Sequence, residues 1–461
     1  MNRSNYVVFV SAGLISPKKR DHVLARRQLY LNYGALSLAT KLHYLGHKTV
    51  LIHGDHMLPG QVLAEMKASG KFPSKYPLML SIPSFYALSW AQQFCQLAKA
   101  ADPDCKLVVG GRWVVGPDPA WLQTKLPEVD TLAPGLSEPY IVGFLNGNQI
   151  LNHIEAPTPN FTLNHQLVEN YSHYQPSIEA SRGCGMGCMF CEERNIPIEK
   201  LVSPLNIAKS LSQIQEQYGG EKIHPYFQSS MFLPTSKWAA SLAENTRRLD
   251  LDISWRTETR VDVMQTSTVE SLAEAGLKIL DLGLETASPK QILSMDKTDK
   301  PDRYLRKAEE LLEACKKNGV MAKVNVLLYA GETESTLKET QDWLDHNSSN
   351  ITGVSVGPVI AYGPPKTAEV LIKDWIVLGA RPIDNNSADQ TGITMMHLSK
   401  DIDSTEAESI SLNLSRRYMN ADDYFALKSF SYYPRNYSRS DFSRDIEASE
   451  KNNLPFSTQN K

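Results

Sequence analysis

The sequence predicts an α/β protein in three parts: a doubly wound parallel sheet of Rossmann-like form, a partial (β/α)6 barrel of TIM-like type, and a small, mostly α-helical cap. Three observations carry this. Short apolar runs alternate with helix-spaced patterns from Val7 to Leu132, joined by short links, which is the signature of a parallel sheet with helices on both faces. A second series of six strand–helix units begins at Ser177. After Lys366 the pattern changes again, as Ser, Asp and Asn increase and tyrosines gather at Tyr424, Tyr432, Tyr433 and Tyr437. The expected boundaries are 1–145 for the first unit, 146–175 for a linker, 176–365 for the central core and 366–461 for the cap.

Composition narrows the functional classes. The chain has 461 residues, 42% hydrophobic and 21% charged, within the ordinary globular range. A net charge of −3 supplies no basic field, so nucleic acid is not the expected partner. No run of about 18 apolar residues exists to span a membrane, and the opening MNRSNYVVFVSAGLISP leads straight into a strand pattern rather than a signal peptide. Few cysteines point to a reducing cytoplasm.

In the first unit, Val7 to Val10 reads as a buried strand. Ala35, Leu38, Ala39, Leu42 and Leu45 follow at helical spacing, with Gly46 where a C-terminal glycine belongs. Further strands are expected at 49–53, 78–82, 107–109 and 129–132, and helices at 62–68, 88–101 and around Trp121. Ligands of such sheets bind beyond the carboxyl ends of the strands, but no G-x-G-x-x-G dinucleotide fingerprint is present. His22, His53 and His56 read as surface or strand-end residues, and Cys95 and Cys105 as buried thiols.

In the core, strands are expected near 177–181, 222–228, 252–258, 278–284, 321–328 and 351–356. Helices are expected near 203–218, 236–248, 267–275, 302–318 and 333–346. Ser267-x-x-Glu270 reads as a capping box, Gly276 as the end of that helix, and Thr333 as an N-cap. Six units fall two short of a closed eight-stranded barrel and leave a lateral opening. The stretch from about Glu450 is polar and is expected to fray.

The chemistry concentrates at SRGCGMGCMFC, residues 181–191. Cys184, Cys188 and Cys191 put half of the six cysteines within eight residues. Three thiolates on one loop can hold three irons of a [4Fe–4S] cluster and leave the fourth open, and Gly183, Gly185 and Gly187 supply the backbone freedom such a loop needs. A zinc site would want a fourth ligand. No cysteine or histidine follows Cys191 until His224, and His165 and His173 lie at unhelpful distances upstream.

This C-x3-C-x2-C pattern, with Phe190 before its last cysteine, resembles the signature of the radical SAM superfamily. The resemblance implies a cluster whose open iron chelates S-adenosylmethionine, reductive cleavage to a 5′-deoxyadenosyl radical, and an external one-electron donor such as flavodoxin or ferredoxin. It also makes 176–365 the radical SAM core. Glu285, ending the DLGLETAS strand, matches the position that binds the nucleoside ribose; an ion pair with a barrel lysine is the alternative. In WRTETR, Arg260 and Glu258 are nucleoside-binding candidates beside Arg256, with a structural Glu–Arg network as the competing reading. Gln228 and Ser229 stand where many relatives carry acidic residues or Gly-Gly-Glu, and Gly357 with Gly363-Pro364-Pro365 resembles the loop approaching the adenine. No catalytic side chain is singled out.

Ahead of such a core, the first unit resembles the cobalamin-binding domain of the B12-dependent class. The residues that carry this are Tyr33-Gly34, Leu45-Gly46-His47, Gly54-Asp55, Ser81 to Ser84, Gly110-Gly111, and Gly135 with Glu138. The D-x-H-x-x-G motif that gives cobalt a histidine is absent. A unit that binds nothing, or helps hold substrate, is the alternative. The function expected is cobalamin-dependent methylation of a carbon in a small-molecule substrate. The competing expectations are a radical dehydration, epimerisation or rearrangement without methyl transfer, and a non-catalytic zinc scaffold. Arg435, Tyr433 and Tyr437 read as pocket-lining or, more simply, as packing residues.

Overall fold

The computed structural model describes residues 3–18, 20–145 and 159–458. Residues 146–158 of the expected linker lie outside them.

The first unit is a five-stranded parallel sheet, β1 (Val7–Ser11), β2 (Thr49–His53), β3 (Leu78–Ser81), β4 (Leu107–Gly110) and β5 (Thr131–Ala133), in the order β2-β1-β3-β4-β5. Every residue of β1 and β2 is buried, as expected of strands covered on both faces by helices. One face packs Val8, Val10, Leu80 and Val109 against Trp90 and Phe94 of helix Leu88–Ala101. The other packs Val7, Phe9 and Met79 against helix Tyr33–Tyr44. That helix begins at Asn32, whose side chain accepts from Ala35 N, and ends before Gly46 at φ +90°. The reversal of strand order between β1 and β3 opens a crevice at the carboxyl ends.

The core is six parallel strands in sequential order: β6 (Ser177–Glu179), β7 (Tyr226–Gln228), β8 (Trp255–Arg260), β9 (Leu277–Glu285), β10 (Met321–Leu328) and β11 (Gly353–Pro358). Helices Pro204–Gln217, Ser236–Arg248, Val269–Glu274, Pro301–Lys317 and Glu334–Asn347 lie between successive strands. β10 alternates half-buried and buried positions along its length, so Lys323 and Asn325 point inward while Val324 and Val326 meet the helices. A short helix at Pro289–Ser294 was not expected. The expected capping box at Ser267 does not form: Ser267 Oγ turns to Ser236, a 3₁₀ turn spans Thr266–Thr268, and the helix starts without a side-chain cap. Thr333 does cap its helix, accepting from Thr336 N.

The last segment is mostly helical, with Pro365–Val377, Ser404–Tyr418, Ala421–Ser429 and Arg439–Glu447. It also carries an antiparallel sheet, β12 (Ile360–Tyr362), β13 (Arg381–Pro382) and β14 (Ile393–His397), in the order β12-β14-β13. The Gly363-Pro364-Pro365 stretch opens the first of those helices, with Tyr362 against Tyr86 of the first unit. The end of the chain does not fray over its described part, because Leu454 and Phe456 are buried beside Tyr424 and Phe442. Leu24 joins the same cluster, and Arg27 forms a bidentate pair with Asp445, so the segment before the first long helix is locked onto the cap. Tyr433 is core here, Tyr437 donates to Asp445, and Arg435 pairs with Glu221; all three are packing residues.

Candidate active site

The cysteine loop leaves β6 and is pinned by the segment that returns beneath it. Cys184 N and Gly185 N both donate to Ile196 O, at 3.1 and 3.0 Å. Gly183 has φ +74°, and a Cβ there would meet Pro197 O at 1.9 Å, so only glycine allows this closure. All three thiols are free. Burial raises Cys184 and pushes Cys191 up to about 11. Among the described residues no three His, Cys, Asp or Glu groups converge on one ion. A cluster offers each thiolate its own iron and needs no such convergence. Three free thiols that feel one another's charge are the donor set this group takes.

Arg260, at the end of β8, points at this loop. Its Nη1 lies 3.7 Å from Cys188 Sγ, Nε and Nη2 donate to Asp262 at 2.9 and 3.0 Å, and Nη2 also donates to Lys297 O at 2.8 Å. Glu285 ends β9 with φ +63°, a left-handed conformation uncommon for glutamate, beside a register shift in β10 at Asn325/Val326. Its carboxylate lies 3.6 Å from Lys297 Nζ, so the lysine pair set against the ribose role is present. Lys297 Nζ also stands 5.7 Å over the Phe190 ring, whose edge meets Tyr329 at 6.2 Å. The loop, Arg260, Glu285, Lys297 and Phe190 therefore form one neighbourhood. Lys297 escaped sequence reasoning because it sits in a turn, Asp296 to Asp299, with no motif around it.

Gln228 ends β7 and Ser229 follows it next to the loop: Gln228 Nε2 donates to Ser177 Oγ at 3.2 Å, and Ser229 Oγ is 2.7 Å from Ser181 Oγ. Glu258 lies lower, in register with Asp281 of β9. Arg256, on the same strand, makes a bidentate pair with Asp281 at 2.5 and 2.8 Å, and Lys323 joins it at 2.9 Å. The two cations hold Asp281 well below the usual carboxylate range although it is buried.

A cavity of about 420 Å³ lies between the two sheets. Its floor is the carboxyl-terminal edge of the first sheet, with Ser11, His53, Asp55, Ser81 and Gly110; its roof includes Ser181, Arg182, Glu193 and Ser229 beside the cysteine loop. Tyr33-Gly34, Ser84, Gly111, Gly135 and Glu138 also line it, while Leu45 is exposed away from it. Arg182 spans the units, donating to Glu179 at 2.6 Å and to Glu138 at 2.5 Å. Its place inside the SRGCG stretch was the available signal. His22 caps a short helix through Nδ1, whereas His53 is buried at the cavity floor. Burial drives His53 down to about 3 and Asp55, which accepts from the Tyr174 hydroxyl at 2.5 Å, up to about 6. His53 Nδ1, His56 Nδ1, Ser84 Oγ and Glu193 Oε2 are buried without a partner around this cavity. Four orphaned polar atoms fit a large ligand that carries many polar groups, as a corrinoid does.

Residues 178–344, which include the cysteine loop, match the model of the radical SAM superfamily. Beyond those residues, the fold is similar to that of two solved proteins. The radical S-adenosylmethionine methyltransferase TsrM from Kitasatospora setae, solved with cobalamin and a [4Fe–4S] cluster, superposes with a TM-score of 0.63 at 14% identity, over 92% of this chain and 89% of that one. The cobalamin-dependent S-adenosylmethionine radical enzyme OxsB, with aqua-cobalamin and S-adenosylmethionine bound, gives 0.58 at 14% identity, over 90% of this chain and 61% of that one. At these identities the likeness is one of fold. A protein of Pyrococcus horikoshii named as an uncharacterized methyltransferase is 24% identical over 172 residues, 35% of this chain. The chain spans about a third of the length of that curated relative.

Proposed function

We propose that the protein is a cobalamin-dependent radical SAM methyltransferase acting on a small molecule. The observation that carries the reading is the shared cavity: the carboxyl edge of a cobalamin-type sheet and the flanks of a three-cysteine loop face each other across it. When bound, the cluster with S-adenosylmethionine supplies a 5′-deoxyadenosyl radical and cobalamin supplies a transferable methyl group. Cys184, Cys188 and Cys191 hold the cluster. Arg260 sets the charge beside it and faces the carboxylate end of the nucleoside. Glu285 accepts from ribose hydroxyls beside Lys297, and Phe190 walls the site. Gln228 and Ser229 offer neutral hydrogen bonds to the methionyl end. Ser84, His53 and His56 meet polar groups of the corrinoid, and Arg182 ties the two units into one enclosure.

The thiols and the cluster require a reducing compartment and a one-electron donor protein. No helix among the described residues is long and apolar enough to cross a membrane.

The test is anaerobic purification followed by iron, sulfide and cobalt analysis and incubation with reductant and S-adenosylmethionine. Joint formation of 5′-deoxyadenosine and S-adenosylhomocysteine supports methyl transfer. Deoxyadenosine alone, without bound cobalt, turns the reading to a radical rearrangement or elimination.

A further inference from the structure

Seven charged side chains point inward from the six core strands, and six of them are paired. Glu179 takes Arg182, Arg256 and Lys323 share Asp281, Arg260 takes Asp262, and Glu285 takes Lys297. Glu258 is the seventh. Among the described residues it makes no ion pair, and its neighbour on the side is the Tyr226 hydroxyl, a neutral donor. The side chain is exposed, yet its strand runs between β7 and β9 in the middle of the sheet, so the space it is exposed to is the barrel lumen. Half-buried Tyr226, Asn325 and Tyr432 border the same interior, which is therefore not filled by side chains.

An enclosed carboxylate without a counter-charge is costly. Lys323 and Arg256 pull Glu258 toward ionisation, but both are committed to Asp281, whose own charge opposes it. Desolvation prevails, and the carboxyl is pushed up to about 7. Arg182 beside Glu179 and Lys297 beside Glu285 show what the other strand carboxylates have and Glu258 lacks. The rings of Tyr226 and Tyr432, with centroids 6.4 Å apart, stand near it, and aromatic walls tolerate a cation. Toward the first unit, Tyr33, which lines the inter-sheet cavity, feels the Glu258 charge.

We infer that Glu258 anchors a protonated nitrogen of the substrate, a primary amine or a guanidinium, in the barrel lumen. The ligand supplies the missing counter-charge, and the ion pair holds the molecule in the lumen. The inference rests on the proposed radical reaction only in naming that ligand the substrate. Its test needs neither S-adenosylmethionine nor cobalamin.

Benzylamine and its neutral analogue benzyl alcohol are titrated by ligand-observed NMR into the anaerobically purified full-length protein near pH 7.5. Benzylamine should bind at least about tenfold more tightly, the worth of one charge-assisted contact. Glu258→Gln, which keeps shape and hydrogen bonding, should erase the difference while iron and sulfide content stay at the wild-type level. Equal binding of the two probes to wild type, binding of neither, or a preference that survives Glu258→Gln overturns the inference. Because the wild-type comparison stands alone, a misfolded variant does not rescue it. Loss of the cluster from the wild-type protein would instead count against the radical reading and leave the binding result intact.

Discussion

Arg260 holds its guanidinium 3.7 Å from the sulfur of Cys188 while Asp262 and Lys297 O fix its other donors. A charge held this way cannot swing aside when a cluster binds. Donors and charge near cluster sulfurs set reduction potentials. Arg260→Met should therefore give a more negative midpoint potential with the cluster still assembled, read by electron paramagnetic resonance during a redox titration. An unchanged potential would mean that the guanidinium does not act on the cluster.

The Arg256–Asp281–Lys323 group is a structural element of the lumen. Asp281→Asn leaves buried Arg256 and half-buried Lys323 without their shared partner, and the expected loss is about 3–5 kcal/mol, measured by denaturant unfolding. A loss below about 1 kcal/mol, the worth of a surface pair, would show that water reaches this group.

The first-sheet cavity has its own handle in Gly34. It lies in the first turn of a helix and lines the cavity, and a Cβ there meets only Asn32 Oδ1 at 3.7 Å. Gly34→Leu should leave folding and iron content unchanged and lower retained cobalt by about tenfold through overpacking. Equal cobalt in both proteins would place the corrinoid elsewhere.

His165 is buried between the units, its Nε2 accepting from Ser177 N and its Nδ1 bonded to Gln217, and burial lowers its pKa to about 4. A lowered histidine pKa means that below pH 6.5 the unfolded chain takes a proton which the folded chain refuses. Its contribution is whole above pH 6.5 and falls by about 1.4 kcal/mol per pH unit between 6.5 and 4. The stability gap between wild type and His165→Gln should shrink by about 1 kcal/mol from pH 6.5 to pH 5.5, because the unfolded histidine is already half protonated at the upper value, read from urea unfolding at the two values. A gap that stays constant would show that His165 titrates normally.

The fold was legible because periodicity survives in long elements. The strand at 321–328 and the helix at 236–248 fall where their patterns put them. The cysteine loop was legible because its chemistry demands fixed spacing. Elsewhere tertiary contacts outweighed local pattern. Ser267 found Ser236 instead of capping its helix, and a polar tail was held down by Leu454 and Phe456. β13 has two residues, too few to show alternation. In the site, Glu285 could be named from its strand end, but its lysine partner lies in a turn twelve residues later and meets it only in three dimensions. The distinction between Arg256, paired in the interior, and Glu258, left unpaired, belongs to strand register and is invisible in WRTETR alone.

The most direct test of the central claim is anaerobic incubation of the reconstituted protein with S-adenosylmethionine and a reductant, beside Cys188→Ala. The account predicts about four irons and four sulfides per chain and reductive formation of 5′-deoxyadenosine by the wild type, with both lost in the soluble variant. Deoxyadenosine formation that persists in Cys188→Ala, or its absence from a fully loaded wild type, would contradict it.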